Sequence, residues 1–414
     1  MLAQVGTKSS ALIIVHVMGY YVPNLGYQEN FLPFEQAKLG HEVHIVTGDR
    51  YVPHPSYKTV YEPRLGPRIV GRGKQVERNV TIHRLPVLLE LKNHNNPWVS
   101  GSVYLLDQLK PDIVHLHGVT PWSSLGVIFS RAAQRHILVC DHHLCRFNLE
   151  PFITVKRAYY AAFRTLCAQP AQRRVKAWLP INEDAKQVLS DILGIRGKNV
   201  FINRLGVDSD RFTRNAESGR VWRRANNIPD GATLFVHAGR LEPRKRIEDL
   251  IKAFAIMRSV EPDNDYWLGI IGNGDENYIS GLKNIAASLG ISARTVFWNI
   301  LPHDSLPAVF NAADAGIWPG DASVTLIEAL GCGLPIALPE KPGLSYVTNC
   351  AGAAVFEQFD VTALAALMPR LIEATGIERE RIATGCAERL SWRAIAAEAT
   401  EIYREVIARS LGMQ

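Results

Sequence analysis

Short apolar runs alternate with longer segments of helical periodicity along nearly the whole chain. In the first half the runs predict strands at residues 12–17, 42–47, 113–116, 137–139, 177–181 and 200–202. In the second half they predict strands at residues 233–237, 267–271, 295–298, 315–318 and 335–338. This alternation is typical of parallel sheets covered by helices on both faces. We therefore predict an α/β protein with two Rossmann-like domains.

Two polar segments interrupt the alternation. Residues 49–72 are rich in Pro, Gly, Tyr and basic side chains and show no period, which predicts a long surface loop. Residues 208–229 are rich in Arg, Asn and Gly, which predicts a linker. We accordingly place the domains at residues 1–210 and 211–391. In such sheets ligands bind beyond the carboxyl ends of the strands, so the loops that follow strands are the candidate sites.

The composition is that of an ordinary globular protein. Of 414 residues, 47% are hydrophobic and 21% are charged, which excludes intrinsic disorder. The formal net charge of +6 is too dilute to indicate nucleic-acid binding. No apolar stretch reaches the roughly 18 residues of a membrane-spanning helix. The apolar run at residues 11–17 contains His16, which favours a first strand over an export signal.

The six cysteines predict free thiols in a reducing cytoplasm. Cys140 and Cys145 lie near His142 and His143 in the sequence, and a structural zinc site there is an alternative. The segment offers no further ligands to complete the closed four-ligand geometry that structural zinc prefers. We therefore expect no metal site in this segment.

A basic turn follows the predicted strand 233–237. Gly239 would let the backbone approach a ligand closely, Arg240 offers a planar fork of donors, and Lys245 offers a point charge. Together these groups suit a diphosphate. The alternative is a solvated basic turn without a ligand.

A second candidate segment follows the predicted strand 315–318, where a turn leads into a helix that begins near Ser323. Ser323 is a suitable N-cap residue. The backbone amides of Val324, Thr325 and Leu326 would then present the positive end of the helix dipole to a diphosphate.

Glu328 and Gly272 carry less specific signals. Glu328, in the first turns of that helix, would accept hydrogen bonds from ribose hydroxyls or would simply complement the helix dipole. Gly272 belongs to a Gly-Asn-Gly turn after the predicted strand 267–271. That turn would bring a helix N-terminus to a phosphate, or it is an ordinary turn.

The order and spacing of these segments resemble those of the retaining glycosyltransferases of the GT-B fold, in the large family numbered four. The matching pieces in the first half are Gly26-Tyr27-Gln28-Glu29, Leu39-Gly40-His41-Glu42-Val43, the run from Pro111 to Gly118, and Gly206-Val207-Asp208. Those in the second half are Gly239-Arg240-Leu241 with Lys245, Val296-Phe297, Ala313-Asp314-Ala315, Glu328-Ala329 and Gly331-Cys332-Gly333-Leu334-Pro335.

The resemblance implies a nucleotide-sugar donor held mainly by the second domain and an acceptor held mainly by the first. Arg240 and Lys245 would neutralise the donor diphosphate, and Glu328 would hold the ribose. Such enzymes usually need no metal, because the two cations and the helix amides supply the positive charge. Retention in this fold is attributed to front-face attack without a protein nucleophile. The last helix, at about residues 392–414, would cross back to the first domain.

The resemblance also points to residues of the first domain. Gly26 would let the backbone approach the donor phosphate, although the family has paired glycines where this chain has Leu25 and Gly26. His117 and His142 both lie where GT-B transferases place a histidine beside the reacting sugar. His115 shares a strand face with His117 and is expected to be a buried, hydrogen-bonded histidine.

One departure concerns the family's pair of glutamates separated by seven residues. The first of these carboxylates normally meets the hydroxyls of the donor sugar, and this chain has Gly320 there. Asp321, one position later, would take over this role after a small shift of the loop. Otherwise sugar recognition differs from that of the family.

Basic and aromatic side chains without any acid gather at residues 156–176. One interpretation is a peripheral face that contacts an anionic membrane carrying the acceptor. The other is an amphipathic helix with a solvated basic face.

We therefore expect a cytoplasmic, metal-independent, retaining transferase that acts at most on the inner face of the membrane. It would move a hexose or N-acetylhexosamine from a UDP- or GDP-linked sugar to a hydroxyl acceptor, with no cofactor besides the donor and no nucleic-acid partner. The alternative is a non-catalytic GT-B subunit that binds a nucleotide or a partner protein, which the missing carboxylate at Gly320 favours. A dinucleotide oxidoreductase would need a complete Gly-x-Gly-x-x-Gly after a strand, which is absent.

Overall fold

The computed structural model describes residues 10–23, 26–54, 57–91, 96–149, 154–321 and 323–412. The chain divides into two compact units. Unit 1 comprises the chain up to Ile181, Ala185–Asn203 and the chain from Ile395 onward. Unit 2 comprises Asn182–Asp184 and Arg204–Ala394.

Unit 1 contains a sheet of seven strands and a separate two-stranded sheet. The strands are β1 Ile13–Val17, β2 Glu42–Gly48, β3 Gly73–Glu77, β4 Val80–Leu85, β5 Val87–Leu91, β6 Asn96–Val99, β7 Ile113–Leu116, β8 Leu138–His142 and β9 Val175–Pro180. The large sheet has the order β3-β4-β2-β1-β7-β8-β9, in which only the β3–β4 pair is antiparallel. Strands β5 and β6 form the small antiparallel sheet.

The helices of unit 1 cover the large sheet. They are α1 Leu32–Lys38, α2 Glu62–Leu65, α3 Ser102–Leu109, α4 Trp122–Ile128, α5 Arg146–Leu149, α6 Thr154–Ala162, α7 Ala168–Arg174 and α8 Glu183–Asp191, the last belonging to unit 1 from Ala185 onward. Buried side chains on one face of β1 and β2, Ile14, Val43 and Ile45, share one core cluster with Ala396, Ala399 and Tyr403 near the end of the chain.

Unit 2 contains a parallel sheet of six strands in the order β12-β11-β10-β13-β14-β15. The strands are β10 Thr233–Ala238, β11 Tyr266–Ile271, β12 Thr295–Trp298, β13 Ala315–Ile317, β14 Ile336–Pro339 and β15 Ala353–Phe356. The helices are α9 Ala216–Ala225, α10 Ile247–Val260, α11 Glu276–Ser288, α12 Leu306–Ala312, α13 Val324–Gly331, α14 Ser345–Thr348, α15 Val361–Leu371 and α16 Gly376–Leu390. Helix α17, Trp392–Ser410, begins in unit 2 and belongs to unit 1 from Ile395 onward.

The predicted linker at residues 208–229 is wrong, because this segment contains helix α9. Asn215 caps the helix by accepting a hydrogen bond from Ser218 N at 3.0 Å. Arg223 fixes it to the sheet by pairing with Asp314 at 2.6 Å. Few apolar residues mark the buried face, and Gly219, which packs on the backbone of α12, gave no hydrophobic signal.

Six strand assignments also differ from the prediction, because one predicted strand is absent and β3, β4, β5, β6 and β15 were not predicted. Residues 200–202 form no strand, and Val200 makes only an isolated bridge with Trp178. Strands β3 and β4 were missed, although β4 lies inside the sheet beside β2. The predicted loop at residues 49–72 includes the short helix α2, and its Tyr51 and Tyr57 pack against Val22.

Candidate functional site

In unit 2 the turn after β10 is held against the end of β11. Gly239 N donates to Ile271 O at 3.0 Å. Gly239 has φ +155°, and a Cβ added there would lie 3.5 Å from Ser323 Oγ. Glycine is therefore favoured by the backbone conformation itself, and the close approach of a ligand to this turn stays a prediction.

Gly272 packs against the same turn. Its φ is +154°, and a Cβ added there would lie 1.9 Å from Gly239 O. Leu241 N donates to Asn273 O at 2.8 Å across the two turns. Glycine at 272 is thus required for the turns to pack together, and its role in donor binding stays a prediction.

The two predicted cations differ in their surroundings. Arg240 is exposed and makes no hydrogen bond or ion pair with the described residues. Lys245 is buried, and its Nζ donates to Asp321 O at 2.8 Å. Burial, together with repulsion from Arg244, lowers the pKa of Lys245 to about 8. Arg240 is therefore open to a ligand, whereas Lys245 is already anchored.

No side chain fits at Gly320, where the resemblance places the family's first carboxylate. A Cβ there would come 2.3 Å from Arg244 O and 2.6 Å from Lys245 Cα. The next residue, Asp321, places its Oδ1 at 2.8 Å from Lys341 Nζ. Lys341, which was not predicted, lies two residues after the end of β14 and holds the Asp321 carboxylate in an ion pair.

Helix α13 begins at Val324 with Ser323 at the N-cap position, but the Ser323 side chain does not cap it. The predicted side-chain cap is therefore wrong. Thr325 Oγ1 donates to Ala238 O at 2.6 Å, so the 2.7 Å contact between the two hydroxyls uses the hydrogen of Ser323. The amide of Leu326 donates to Ser323 O at 3.3 Å and is not free as predicted.

These bonds tie the start of α13 to the end of β10. Trp318 Nε1 adds a hydrogen bond to Ala238 O at 3.0 Å from beneath. The two segments predicted to bind a diphosphate therefore form one continuous surface of unit 2.

Glu328 is a buried carboxylate with one oxygen engaged. Its Oε1 lies 2.7 Å from His303 Nε2, whereas Oε2 is buried without a hydrogen-bond partner among the described residues. Arg211 Nη1 can only donate, so the 3.1 Å contact with His303 Nδ1 places the hydrogen of a neutral His303 on Nε2, facing Glu328. The hydrogen bond to Glu328 raises the pKa of His303. His303 was missed, although it lies in the loop after β12.

Asp141, on β8, is the centre of a polar cluster in unit 1 that the sequence analysis missed. Its Oδ2 lies 2.8 Å from His117 Nδ1, 3.2 Å from His115 Nε2 and 3.5 Å from His143 Nε2. Gly118 N donates to Oδ1 at 2.8 Å. Burial opposes the charge, but the histidines hold the pKa of Asp141 well below its usual range.

His117 connects this cluster to β1. Its Nε2 lies 3.0 Å from His16 Nδ1, and His16 Nε2 lies 2.8 Å from Gln36 Oε1. The rings of His115 and His117 stack with centroids 4.7 Å apart. His115 is buried, and its Nδ1 is hydrogen-bonded to Tyr403 OH, which confirms the expectation of a buried, bonded histidine.

His16, His115 and His117 offer potential metal-ligand atoms within 4.8 Å of one another. All six of their ring nitrogens take part in the hydrogen bonds just described. The cluster is thus a hydrogen-bonded network. Cys140 and Cys145 are buried free thiols, as are three of the other four cysteines.

The structure does not bring His142 to this cluster, because alternation along β8 turns it to the face opposite Asp141. His142 is buried, and its Nε2 lacks a hydrogen-bond partner among the described residues. Burial and the neighbouring His143 lower the pKa of His142 to about 4. His143 faces Asp141 instead; although burial opposes its charge, Asp141 raises its pKa.

Gly26 adopts φ +76°, and no atom of the described residues lies within 4 Å of an added Cβ. The backbone conformation favours glycine, and the open space around it is compatible with the predicted approach of a phosphate. Leu25, the residue that replaces the family's first glycine, lies outside the described residues.

The basic stretch at residues 156–176 spans α6, a π-helical turn and α7. Phe163 is buried, whereas Val155 and Leu166 are 62% and 72% exposed. Arg164 Nη1 donates to Asp191 O at 2.6 Å. No helix in the described part of the chain is both long and apolar enough to cross a membrane. Contact with a membrane surface stays a prediction.

Two family models match the chain. Glycosyl transferases group 1 matches residues 219–388, and Glycosyltransferase Family 4 matches residues 34–211. D-inositol 3-phosphate glycosyltransferase of Stackebrandtia nassauensis is 28% identical over 329 residues, covering 76% of this chain and 68% of that protein. A GDP-mannose-dependent alpha-(1-6)-phosphatidylinositol monomannoside mannosyltransferase of Mycolicibacterium smegmatis is 28% identical over 306 residues, covering 69% and 72%.

The fold has solved counterparts. HepE of Anabaena, crystallised with UDP and glucose, superposes with a TM-score of 0.65 at 15% identity, covering 95% of this chain and 100% of that one. Both units have the parallel sheets that the fold requires. With one family model on each half and named glycosyltransferases among its relatives, the chain belongs to the GT-B glycosyltransferases of the family 4 type.

Proposed function

We propose that the protein transfers a hexose or N-acetylhexosamine from a nucleoside diphosphate sugar to a hydroxyl acceptor, with retention of configuration and without a metal ion. The donor binds to unit 2 and the acceptor mainly to unit 1. One observation carries the proposal: Glu328 is buried, with Oε1 held by His303 and Oε2 unpaired.

An unpaired buried carboxylate oxygen costs free energy unless a donor reaches it. A ribose presents vicinal hydroxyls, each of which donates one hydrogen bond. His303 holds the carboxylate in place, so the free oxygen is preorganised for such a hydroxyl. The Glu328 carboxylate therefore recognises the nucleoside part of the donor.

The diphosphate lies on the surface formed by the Gly239 turn and the start of α13. Arg240 supplies a planar fork of donors and Lys245 a buried positive charge. The first amides of a helix have no partner within the helix and favour anions. These groups stabilise the negative charge that develops on the departing diphosphate, which is the main catalytic term.

The reaction exchanges one bond at the anomeric carbon. Its bond to the diphosphate oxygen breaks, and a bond to the acceptor oxygen forms on the same face. The acceptor proton passes to the departing phosphate oxygen, so no protein nucleophile is needed. His117 contacts the reacting sugar from unit 1, and Asp321 or Lys341 contributes to the choice of sugar.

A transfer assay tests the proposal. UDP- and GDP-linked hexoses and N-acetylhexosamines are each incubated with inositol 3-phosphate or phosphatidylinositol monomannoside, the acceptors named for two relatives. We expect one donor to be consumed equally in EDTA and in magnesium. Proton NMR of the product is expected to show the anomeric configuration of the donor.

Two variants control for a contaminating activity. Arg240→Met should lower the transfer rate at least tenfold, whereas Arg220→Met, on the exposed side of α9, should leave it unchanged. Failure to consume any donor would support the alternative of a non-catalytic subunit. A product of inverted configuration would contradict the retaining mechanism.

A further inference from the structure

Six side chains of unit 1 form a closed ring of hydrogen bonds. Each makes one link to the next, in the order Tyr403, His115, Asp141, His117, His16, Gln36 and back to Tyr403. The last link joins Gln36 Nε2 to Tyr403 OH at 3.3 Å. The ring therefore connects α17 at the end of the chain to His117.

The number of hydrogen atoms in the ring follows from its chemistry. Six links need six hydrogens. Gln36 and Tyr403 each supply one, a neutral histidine supplies one, and an ionised Asp141 supplies none. With three neutral histidines the ring is one hydrogen short, and turning the Gln36 amide end for end does not change this count.

The missing hydrogen is an extra proton on one group of the ring. Asp141 accepts from His115, His117 and the Gly118 amide, which all favour its ionised form. With Gln36 Oε1 facing His16, the link that still needs a hydrogen is the one between His16 and His117. One of these two histidines is therefore doubly protonated.

His117 is the better of the two sites. His16 is fully buried, and burial with repulsion from His115 and His117 holds its pKa well below the usual value. The His117 side chain is 11% exposed, and its Nδ1 lies 2.8 Å from the Asp141 carboxylate. The positive charge on His117 is thus paired directly with the negative charge on Asp141.

We infer that Tyr403 and Gln36 are positioning residues that, through the closed ring, hold His117 doubly protonated and in one orientation. They act on His117 along two arms, Tyr403 through His115 and Asp141, and Gln36 through His16. The consequence of this protonation for sugar transfer rests on the proposed function, because that function puts His117 beside the reacting sugar.

Removing the Tyr403 hydroxyl relieves the need for the extra proton. In Tyr403→Phe four links remain, and with the Gln36 amide turned, Gln36 and three neutral histidines supply four hydrogens. In Gln36→Met four links also remain, and Tyr403 with three neutral histidines supplies them. Both variants should therefore release the proton at lower pH than the wild type does.

Outside the ring, His143 and the buried thiol of Cys140 interact electrostatically with Asp141. His143 Nε2 lies 3.5 Å from Asp141 Oδ2 and competes for its negative charge. Glu29 acts on His143 in turn by raising its pKa. A His143→Gln variant therefore separates the proton of the ring from that of His143.

Histidine NMR tests the inference on the whole chain. Long-range proton–nitrogen spectra of protein labelled with ¹⁵N-histidine are recorded between pH 6 and 9. At pH 8, well above the ordinary histidine pKa of about 6.5, we expect one imidazolium that persists in His143→Gln. In Tyr403→Phe and Gln36→Met its titration should move down by at least about one pH unit.

Thr400→Val is the matched control on α17, because the Thr400 hydroxyl bonds only to Ala396 O within its own helix. It should leave the imidazolium unchanged. Absence of the imidazolium in the wild type at pH 8, or its persistence in Tyr403→Phe, would overturn the inference. If Tyr403→Phe does not fold, the wild type and Gln36→Met still decide it.

Kinetics then test the link to transfer. In Tyr403→Phe we expect kcat at pH 8 to fall about tenfold while the donor KM changes less than about threefold, and the basic limb of the pH profile to move with the imidazolium. An unchanged pH profile would remove the positioning role. The NMR experiment requires no transfer activity. It therefore distinguishes a failure of the proposed function from a failure of the inference about the ring.

Discussion

Gly320 lies directly against the backbone of Lys245, and a Cβ at Gly320 would come 2.6 Å from the Lys245 α-carbon. This contact leaves no room for a side chain at the position where the family resemblance places a carboxylate. It also fixes the turn that carries Lys245 against the loop that carries Asp321, whose carbonyl accepts a hydrogen bond from Lys245 Nζ. Under the proposed function, recognition of the donor sugar therefore starts from a different set of groups.

Gly320→Ala should destabilise the fold by about 1–3 kcal/mol, the usual range for overpacking, because backbone atoms have to move. The free energy of unfolding from urea titrations measures this. Gly281→Ala is the matched control, since nothing lies within 4 Å of its added Cβ in helix α11. That variant should gain up to about 1 kcal/mol. Equal stability of Gly320→Ala and the wild type would contradict the described contact.

Glu328→Gln should weaken binding of the nucleoside diphosphate by about ten- to a hundredfold. The amide keeps an oxygen for His303 but replaces the acceptor Oε2 with a donor, so a ribose hydroxyl loses its partner. Losing one hydrogen bond to a charged group corresponds to roughly 1.5–3 kcal/mol. Isothermal titration calorimetry measures the affinity, with exposed Glu373→Gln as control. Unchanged affinity would remove Glu328 from the donor site.

The pair of His303 and Glu328 should make stability depend on pH. Glu328 raises the pKa of His303 in the folded state, whereas the unfolded chain has the ordinary value. The interaction of protonated His303 with Glu328 therefore stabilises the fold fully below about pH 6.5. This contribution is lost as the pH rises through the pKa of His303 in the folded protein. The stability difference between wild type and His303→Gln should shrink between pH 5.5 and 8 in urea titrations. A difference that grows would contradict the assignment.

Donor binding above pH 8 should take up a proton at Lys245. Burial lowers the pKa of Lys245 to about 8 in the free protein, and a bound diphosphate favours the charged form. Calorimetric titrations at pH 8.5 in two buffers of different ionisation enthalpy measure the uptake, which should reach up to about 0.8 proton per donor. Lys245→Met should show weaker binding and no uptake. Uptake that persists in this variant would assign the proton to another group.

The sequence was sufficient to predict those elements whose ends are marked by neighbouring residues. The end of β10 was predicted because its apolar run stops at Gly239. The start of α13 was predicted because Ser323, a residue type common at N-cap positions, precedes an apolar run. Helix α9 was misread as a linker, since its packing depends on Arg223 and Gly219 rather than on an apolar stripe.

The histidine ring could not be predicted because its members are far apart in the sequence. Tyr403 and His115 are separated by 288 residues, and only the fold brings them together. His142 was preferred over His143 on the family resemblance. Because the end of β8 was predicted three residues too early, the strand pattern did not show which face each of the two side chains occupies. The missed Asp141 lies within that same strand.

Binding of UDP and GDP to the wild-type chain, measured by calorimetry in EDTA and again with magnesium, is the decisive experiment for metal-free donor binding. We expect one nucleotide to bind in EDTA and magnesium to change its Kd less than about twofold, because protein cations and helix amides neutralise the diphosphate. Binding that requires magnesium, or no binding of either nucleotide, would contradict this expectation.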